Sequence, residues 1–155
     1  MSYSKIKVSN RIKVFAAVFI VAAIFLQFWR YHWSTTEIGL KGQTLNVLVA
    51  KTLYQHKKGL GGRDSIAPYD GMLFLFPFSR KEGFVMRDKK FPIDIIWFDN
   101  GRVVDIAPNL PLDSAPEEQL RRYYPRVNAN VVLELPAGWA TARGLKIGDV
   151  LTVRP

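Results

Sequence analysis

Asp94-Ile95-Ile96-Trp97-Phe98-Asp99-Asn100-Gly101-Arg102-Val103-Val104-Asp105-Ile106-Ala107 sets two β-branched runs on either side of Asn100-Gly101. Asn and Gly tolerate the positive φ angles that a type I′ turn demands at both central positions, and the twist of that turn matches the twist of paired strands. The spacing predicts an antiparallel hairpin and a β-rich fold built around it.

Downstream, a loop is expected from Pro108 to about Asn130, carrying prolines at 108, 111, 116 and 125. Within it Ser114, Pro116 and Glu117 spell a helix start of capping-box type, which predicts one short helix through Leu120 to Tyr124. Strand pattern returns at Val131 to Leu135 and stops at Pro136-Ala137-Gly138. A short helix ending near Gly144 follows, and Lys146-Ile147-Gly148-Asp149 turns the chain into a last strand at Val150 to Val153. Upstream, GMLFLFPF at Gly71 to Phe78 is apolar at both parities, so it reads as a central strand covered on both faces. After the charged turn Ser79 to Glu82, Phe84-Val85-Met86 reads as its hairpin partner. The alternation Leu45, Val47, Val49 marks a strand within Thr44 to Ala50, and Thr52 is placed to cap a short helix ending near Gly59. About seven strands and three short helices make this mostly β (α+β), a single compact barrel- or sandwich-like domain.

Composition agrees with one domain. The chain has 155 residues, 48% of them hydrophobic, enough for one proper core. A charged fraction of 23%, with ten Phe and four Trp, excludes wholesale disorder. The absence of cysteine excludes a disulfide framework, a thiolate metal site and a cysteine nucleophile. Net charge is +9, but Lys5, Lys7, Arg11, Lys13 and Arg30 fall before Ser34 with no acid among them. Over half the excess is therefore explained by membrane topology, and nucleic acid is not an expected partner.

That topology rests on VFAAVFIVAAIFLQFW at Val14 to Trp29, apolar except for Gln27 and free of charge from Lys13 to Arg30. Ile12 extends the run, and Trp29, Tyr31 and Trp33 suit an interfacial belt. Bulky residues follow where a cleaved signal peptide would carry small ones, so the reading is an uncleaved signal anchor. Four Lys/Arg precede the span and Arg30 alone closely follows it, which keeps the amino terminus in the cytoplasm. The expected division is a basic cytoplasmic tail at 1–13, a transmembrane signal anchor at 14–33, a polar tether at 34–43 and the domain at 44–155, lying on the periplasmic or extracellular side of the cytoplasmic membrane.

Five motifs then occur in a recognisable order: GLGGR at Gly59 to Arg63, DGMLFLF at Asp70 to Phe76, FVMRDKKFPIDIIWFDNGRVVDI at Phe84 to Ile106, VVLELPAG at Val131 to Gly138, and GLKIGDVLTV at Gly144 to Val153. Together they resemble the domain-of-unknown-function 192 family over roughly Leu45 to Val153. The resemblance implies a compact, mainly β domain often found behind a signal or lipoprotein segment, and it supplies no reaction. Family members commonly carry Met at the position of Gly61 or Gly62 and a Trp-Met pair where this chain has Val85-Met86, which brings Met86 among the ligand-binding candidates.

Arg63 follows a run of glycines, so a tight turn can present its planar donor fork to a carboxylate or phosphate, or to a structural ion-pair partner. Asp94 is an acid amid apolar residues, and its burial requires Arg63, Arg87 or backbone donors as compensation. Glu134 has the parity opposite to Leu133 and Leu135 and reads as a solvent-facing strand residue. As a pair, Asp94 and Glu134 are the candidate carboxylates of a glycoside hydrolase, with Arg63 or Arg87 orienting an anionic group. Trp97, Phe84 and Trp139 are candidate stacking surfaces for a sugar, or core. His32 and His56 support no metal site, and no serine triad or cofactor motif is present. Asp99, Asp105 and Asp149 read as turn and exposed-strand acids. Three functions follow: a membrane-tethered binding or accessory module for an envelope glycan or peptide, an envelope hydrolase using the carboxylate pair, or a structural partner of another membrane protein.

Overall fold

The structure, a computed structural model, describes residues 9–154. Most of the expected basic tail, residues 1–8, lies outside the described residues. The chain divides into two compact units, one up to Trp33 and one from Ser34 onward. The first is helix α1 (Asn10–Tyr31). Its 22 residues span about 33 Å at the usual rise per residue, and its apolar side chains from Ile12 to Leu26 are exposed all round. It is long and apolar enough to cross a membrane.

The second unit is mostly β, with strands β1 (Ser34–Leu40), β2 (Gln43–Ala50), β3 (Gly71–Arg80), β4 (Ile93–Asp99), β5 (Arg102–Leu110), β6 (Ala129–Pro136) and β7 (Leu151–Arg154), helices α2 (Leu53–Lys58) and α3 (Trp139–Ala142), and a 3-10 turn at Glu117–Gln119. All seven strands form one sheet in the order β5-β4-β6-β3-β2-β1-β7. The sheet curls into a half-barrel, because the start of β5 meets the segment leading into β7. Arg102 bridges Val150, and Leu151 N–H donates to Gly101 at 2.8 Å.

The β4–β5 turn is as expected, with Asn100 at φ 49 and Gly101 at φ 75. Thr52 caps α2 in a full capping box with Gln55. Three elements differ from expectation. The stretch 34–43 is not a tether: its Thr36, Ile38, Leu40 alternation is strand β1, and Lys41-Gly42, at φ 51 and 73, turns it into β2. Phe84 is not in a hairpin with β3; its backbone pairs with Tyr123 in an isolated bridge. The short helix expected to start at Ser114 to Glu117 and run through Leu120 to Tyr124 is reduced to the 3-10 turn at Glu117–Gln119, and Asp113, rather than Ser114, takes the local donors, accepting from Ala115 and Arg121 N–H at 3.0 Å each.

Register assigns the faces, since directly paired residues project to the same side. Leu73, Leu133 and Ile96 face the interior of the curl, where they join Ile38, Leu40, Leu45, Val47, Phe98, Val103, Leu135, Leu145 and Leu151 in one core. Met72, Phe74, Glu134, Val132, Ile95 and Trp97 face the opposite, outer side. That side is covered as well: Leu60, Ile66, Phe84 and Met86 are buried, supplied by the segments after α2 and before β4. Two glycines allow the close contacts of this layer. A Cβ on Gly71 would stand 2.5 Å from Glu134 carbonyl oxygen, and one on Gly61 would stand 3.0 Å from the carbonyl oxygens of both Arg87 and Lys58.

Candidate functional site

The loop after α2 and the segment 84–92 are stitched together by Gly62 N–H donating to Asp88 carbonyl at 2.8 Å. This contact positions Lys89 over the outer face of the sheet. Lys89 Nζ lies 2.8 Å from both Oε1 and Oε2 of Glu134 on β6, with side-chain exposures of 4% and 1%. An ion pair so far from water persists only with close geometry, and here the ammonium bridges both oxygens.

A cavity of about 260 Å³ opens above this pair. Glu134 and Lys89 are its most buried polar lining. Phe74 and Phe76 of β3, Phe84 and His56 of α2 form its aromatic wall. Phe74 meets Phe84 edge-on at 5.1 Å, and His56 tilts against Phe76 at 4.6 Å. His56 Nε2 lies 3.1 Å from Ala50 carbonyl oxygen. Because a carbonyl only accepts, Nε2 carries the proton. The exposed margin is basic: Lys57, Lys58, Arg87 and Arg122 line it, against Glu82. Arg87 is braced by Glu117 through Nε at 2.6 Å and through Nη2, while Nη1 reaches Lys57 carbonyl at 3.3 Å. The guanidinium beside Glu117 holds that carboxyl below its usual range.

The residues singled out from sequence are only partly gathered here. Glu134, Arg87 and Phe84 line the cavity. Glu134 is not solvent-facing, because the sheet face opposite Leu133 is covered by a second apolar layer. Asp94 is fully buried and accepts from backbone N–H groups: Oδ1 from Asn109 at 2.8 Å and Gly138 at 3.1 Å, Oδ2 from Ala140 at 2.7 Å. Backbone N–H groups, rather than Arg63 or Arg87, thus compensate its burial. Since Asp94 pairs with Leu135 and Ile95 with Glu134, the two carboxylates project from opposite faces of the sheet and do not form a catalytic pair. Met86 and Trp97 are 0% and 1% exposed and belong to the packing of the outer layer. Arg63 is half-buried and does not line the cavity, and Trp139 lies under the Arg143 guanidinium at 4.8 Å. Lys89 was invisible in the sequence as a site residue: it is one of three cations in Arg87-Asp88-Lys89-Lys90, and nothing local distinguishes it.

Asp105 also departs from expectation. It is 6% exposed and accepts from Arg126 N–H, Nε and Nη2 and from Ile106 N–H. Burial pushes its carboxyl up, but the Arg126 hydrogen bonds, the Ile106 N–H and the Arg126 charge together outweigh it, leaving the group below its ordinary 3.8. A carboxyl depressed on folding contributes stability that is fully present above its unfolded value and is lost as pH falls through the folded one. Asp105→Asn is therefore expected to lower stability at pH 7 by about 1–2 kcal/mol, modest because the Arg126 guanidinium is largely in solvent. It should also flatten the acid limb below about pH 4. Urea midpoints measured from pH 7 to pH 2 test this; parallel acid limbs for the two proteins would show that Asp105 is not the group responsible.

What fold and cavity define together is a small, mostly β half-barrel with a polar cavity on the outer face of its sheet. Two solved structures share the architecture. A protein from Sinorhizobium meliloti 1021, provisionally described as a transcription regulator, is 28% identical with a TM-score of 0.69, over 78% of this chain and 95% of that one. A protein of unknown function from Novosphingobium aromaticivorans DSM 12444 is 27% identical with a TM-score of 0.66, over 77% and 84%. No curated protein matches. The chain belongs to the domain-of-unknown-function 192 family (DUF192, "Uncharacterized ACR"), whose model matches residues 35–153.

Proposed function

We propose that this chain is a membrane-anchored binding module, with its domain on the extracytoplasmic side, that captures an anionic group of a cell-envelope component, glycan or peptide, in the outer-face cavity. The observation that carries this reading is the lining of the cavity: Lys57, Lys58, Arg87, Lys89 and Arg122 stand against Glu82 and Glu134, around an aromatic wall. A concave site with apolar walls and a few convergent charged groups is the form that small-ligand recognition takes, and the excess of cations selects a negative group. The orientation is supported by α1 and by the lysines and arginines that precede its apolar stretch. Asp94 and Glu134 cannot act together as a hydrolase pair, because the sheet separates them. The rhizobial neighbour's description is not taken over: α2 and α3, six and four residues long, are too short for a groove-reading helix.

Two measurements test the reading. A periplasm-dependent reporter fused after residue 155 should be active, and its inactivity would reverse the orientation. Calorimetric titration of the chain in detergent micelles with carboxylated and phosphorylated envelope fragments should show salt-sensitive binding. Substituting Lys57, Lys58 and Arg122 together by Ala should weaken that binding about tenfold or more, at roughly 0.5–1 kcal/mol per exposed charge, without loss of fold. Equal affinity in the triple variant would remove the cavity from consideration.

A further inference from the structure

Lys89 and Glu134 present more than a neutralised pair. An ammonium has three N–H donors, and the two contacts with Glu134 use at most two of them. Among the described residues the ammonium has no other acceptor; the Lys89 backbone N–H donates separately to Met86 carbonyl at 3.3 Å. Each Glu134 oxygen takes one bond from Lys89 and keeps a lone pair. The pair is a donor and an acceptor side by side, 2.8 Å apart, and at 4% and 1% exposure a ligand meets both only when the side chains lying over them move aside. A ligand carboxylate placed there would meet Glu134 at like charge. Two adjacent hydroxyls satisfy both groups, one accepting from Lys89 and the other donating to Glu134.

The remaining walls fit the same ligand. Phe76 and Phe84 offer apolar edges to ring C–H groups, with Phe74 packed behind them, and the cations lie at the margin, away from the base. At about 260 Å³ the space is below the ~300–1,000 Å³ of drug-sized sites and suits one ring. Gly59 keeps it open: a Cβ there would project to 3.6 Å from Phe74 Cζ and 3.9 Å from Lys89 Nζ, into the gap between ring and ammonium.

We infer that the cavity takes one acidic sugar unit, free or terminal on a glycan, with vicinal hydroxyls on the Lys89–Glu134 pair and its carboxylate or phosphate among Lys57, Lys58 and Arg122. This rests on the reading of the cavity as an anion-capturing site, and it names the class of ligand. The test is calorimetry on the full chain in micelles with glucuronate, an oligosaccharide ending in glucuronate, glucose, a glucuronate analogue lacking two adjacent hydroxyls, glutarate and an acidic tripeptide. Glucuronate should bind at least about tenfold tighter than glucose, the deoxy analogue, glutarate and the tripeptide; its free or terminal form, whichever is tighter, identifies the source. Lys58→Ala, at an exposed position that leaves the fold intact, should weaken glucuronate and leave glucose unchanged. If glutarate or the tripeptide matches glucuronate and Lys58→Ala weakens both, the anion site stands and the sugar assignment is overturned. If no acidic probe responds to Lys58→Ala, the site itself is wrong and the assignment falls with it.

Discussion

Replacing Asp94 by Ala is expected to lower the stability of the domain by about 3–5 kcal/mol, among the largest effects of any single change in the chain. Three backbone N–H groups converge on this carboxylate, from Asn109 at the end of β5, Gly138 in the turn after β6, and Ala140 in α3. Gly138 stands at the N-cap of α3 and has no side chain to cap it. Asp94 performs that role from a neighbouring strand and ties three otherwise separate pieces of chain to β4. A buried donor that loses its acceptor costs about 1–3 kcal/mol, and hydrogen bonds to a charged acceptor are stronger than neutral ones. Asn109 is exposed, so water can replace its partner, which holds the total below three full losses. Asp94→Asn should fall between, because its carbonyl oxygen keeps the two donors on one side while its amide faces Ala140 N–H, donor against donor. Urea titration of the chain in micelles, followed by near-ultraviolet circular dichroism, checks the order wild type, Asn, Ala. A loss under about 1 kcal/mol for Ala would falsify the view that these three bonds organise the α3 corner.

This carboxylate also marks how far the fold was legible in the sequence. Asn100-Gly101 specified its turn through φ angles alone, a purely local constraint, and the hairpin was read from it. The apolar residues at both parities of β3 required cover on both faces, and that too is present in the packing. The same logic, extended to β6, would have placed Glu134 correctly. Its neighbours β3 and β4 carry Phe74 with Leu73 and Trp97 with Ile96, so a strand lying between them is covered on both sides. The parity of its own strand points Glu134 to solvent, and that parity carries no information about the second layer. Likewise Thr36, Ile38 and Leu40 alternate as a strand does, yet the polar residues between them gave the stretch the look of a linker. Lys89 is different in kind. Its pairing with Glu134 joins residues 45 apart through a sheet and a glycine-stitched loop, and no local pattern carries that information.

The Lys89–Glu134 pair leads to a second large effect, one whose sign changes with how the pair is altered. Lys89→Met should destabilise by about 3–5 kcal/mol, because it leaves a carboxylate buried with no counter-charge. Glu134→Ala should do the same to the ammonium and add a cavity. The double variant Lys89→Met/Glu134→Leu should be far less harmed than the sum of its parts, within about 1–2 kcal/mol of the parent, since apolar replacements of similar volume avoid the desolvation of two ions. A double-mutant cycle in urea measures the coupling directly, and additive losses would show that the two side chains do not depend on each other. On that expectation, stability alone gives no reason for an ion pair at this position. The proposed recognition role gives one, because only the charged pair supplies a donor and an acceptor at the base of the cavity. The folded double variant should accordingly lose glucuronate binding by about a hundredfold, the two or more hydrogen bonds to charged groups being removed together at about 1.5 kcal/mol each. Undiminished binding by that variant would assign the pair to the architecture of the outer layer and move recognition to the basic margin.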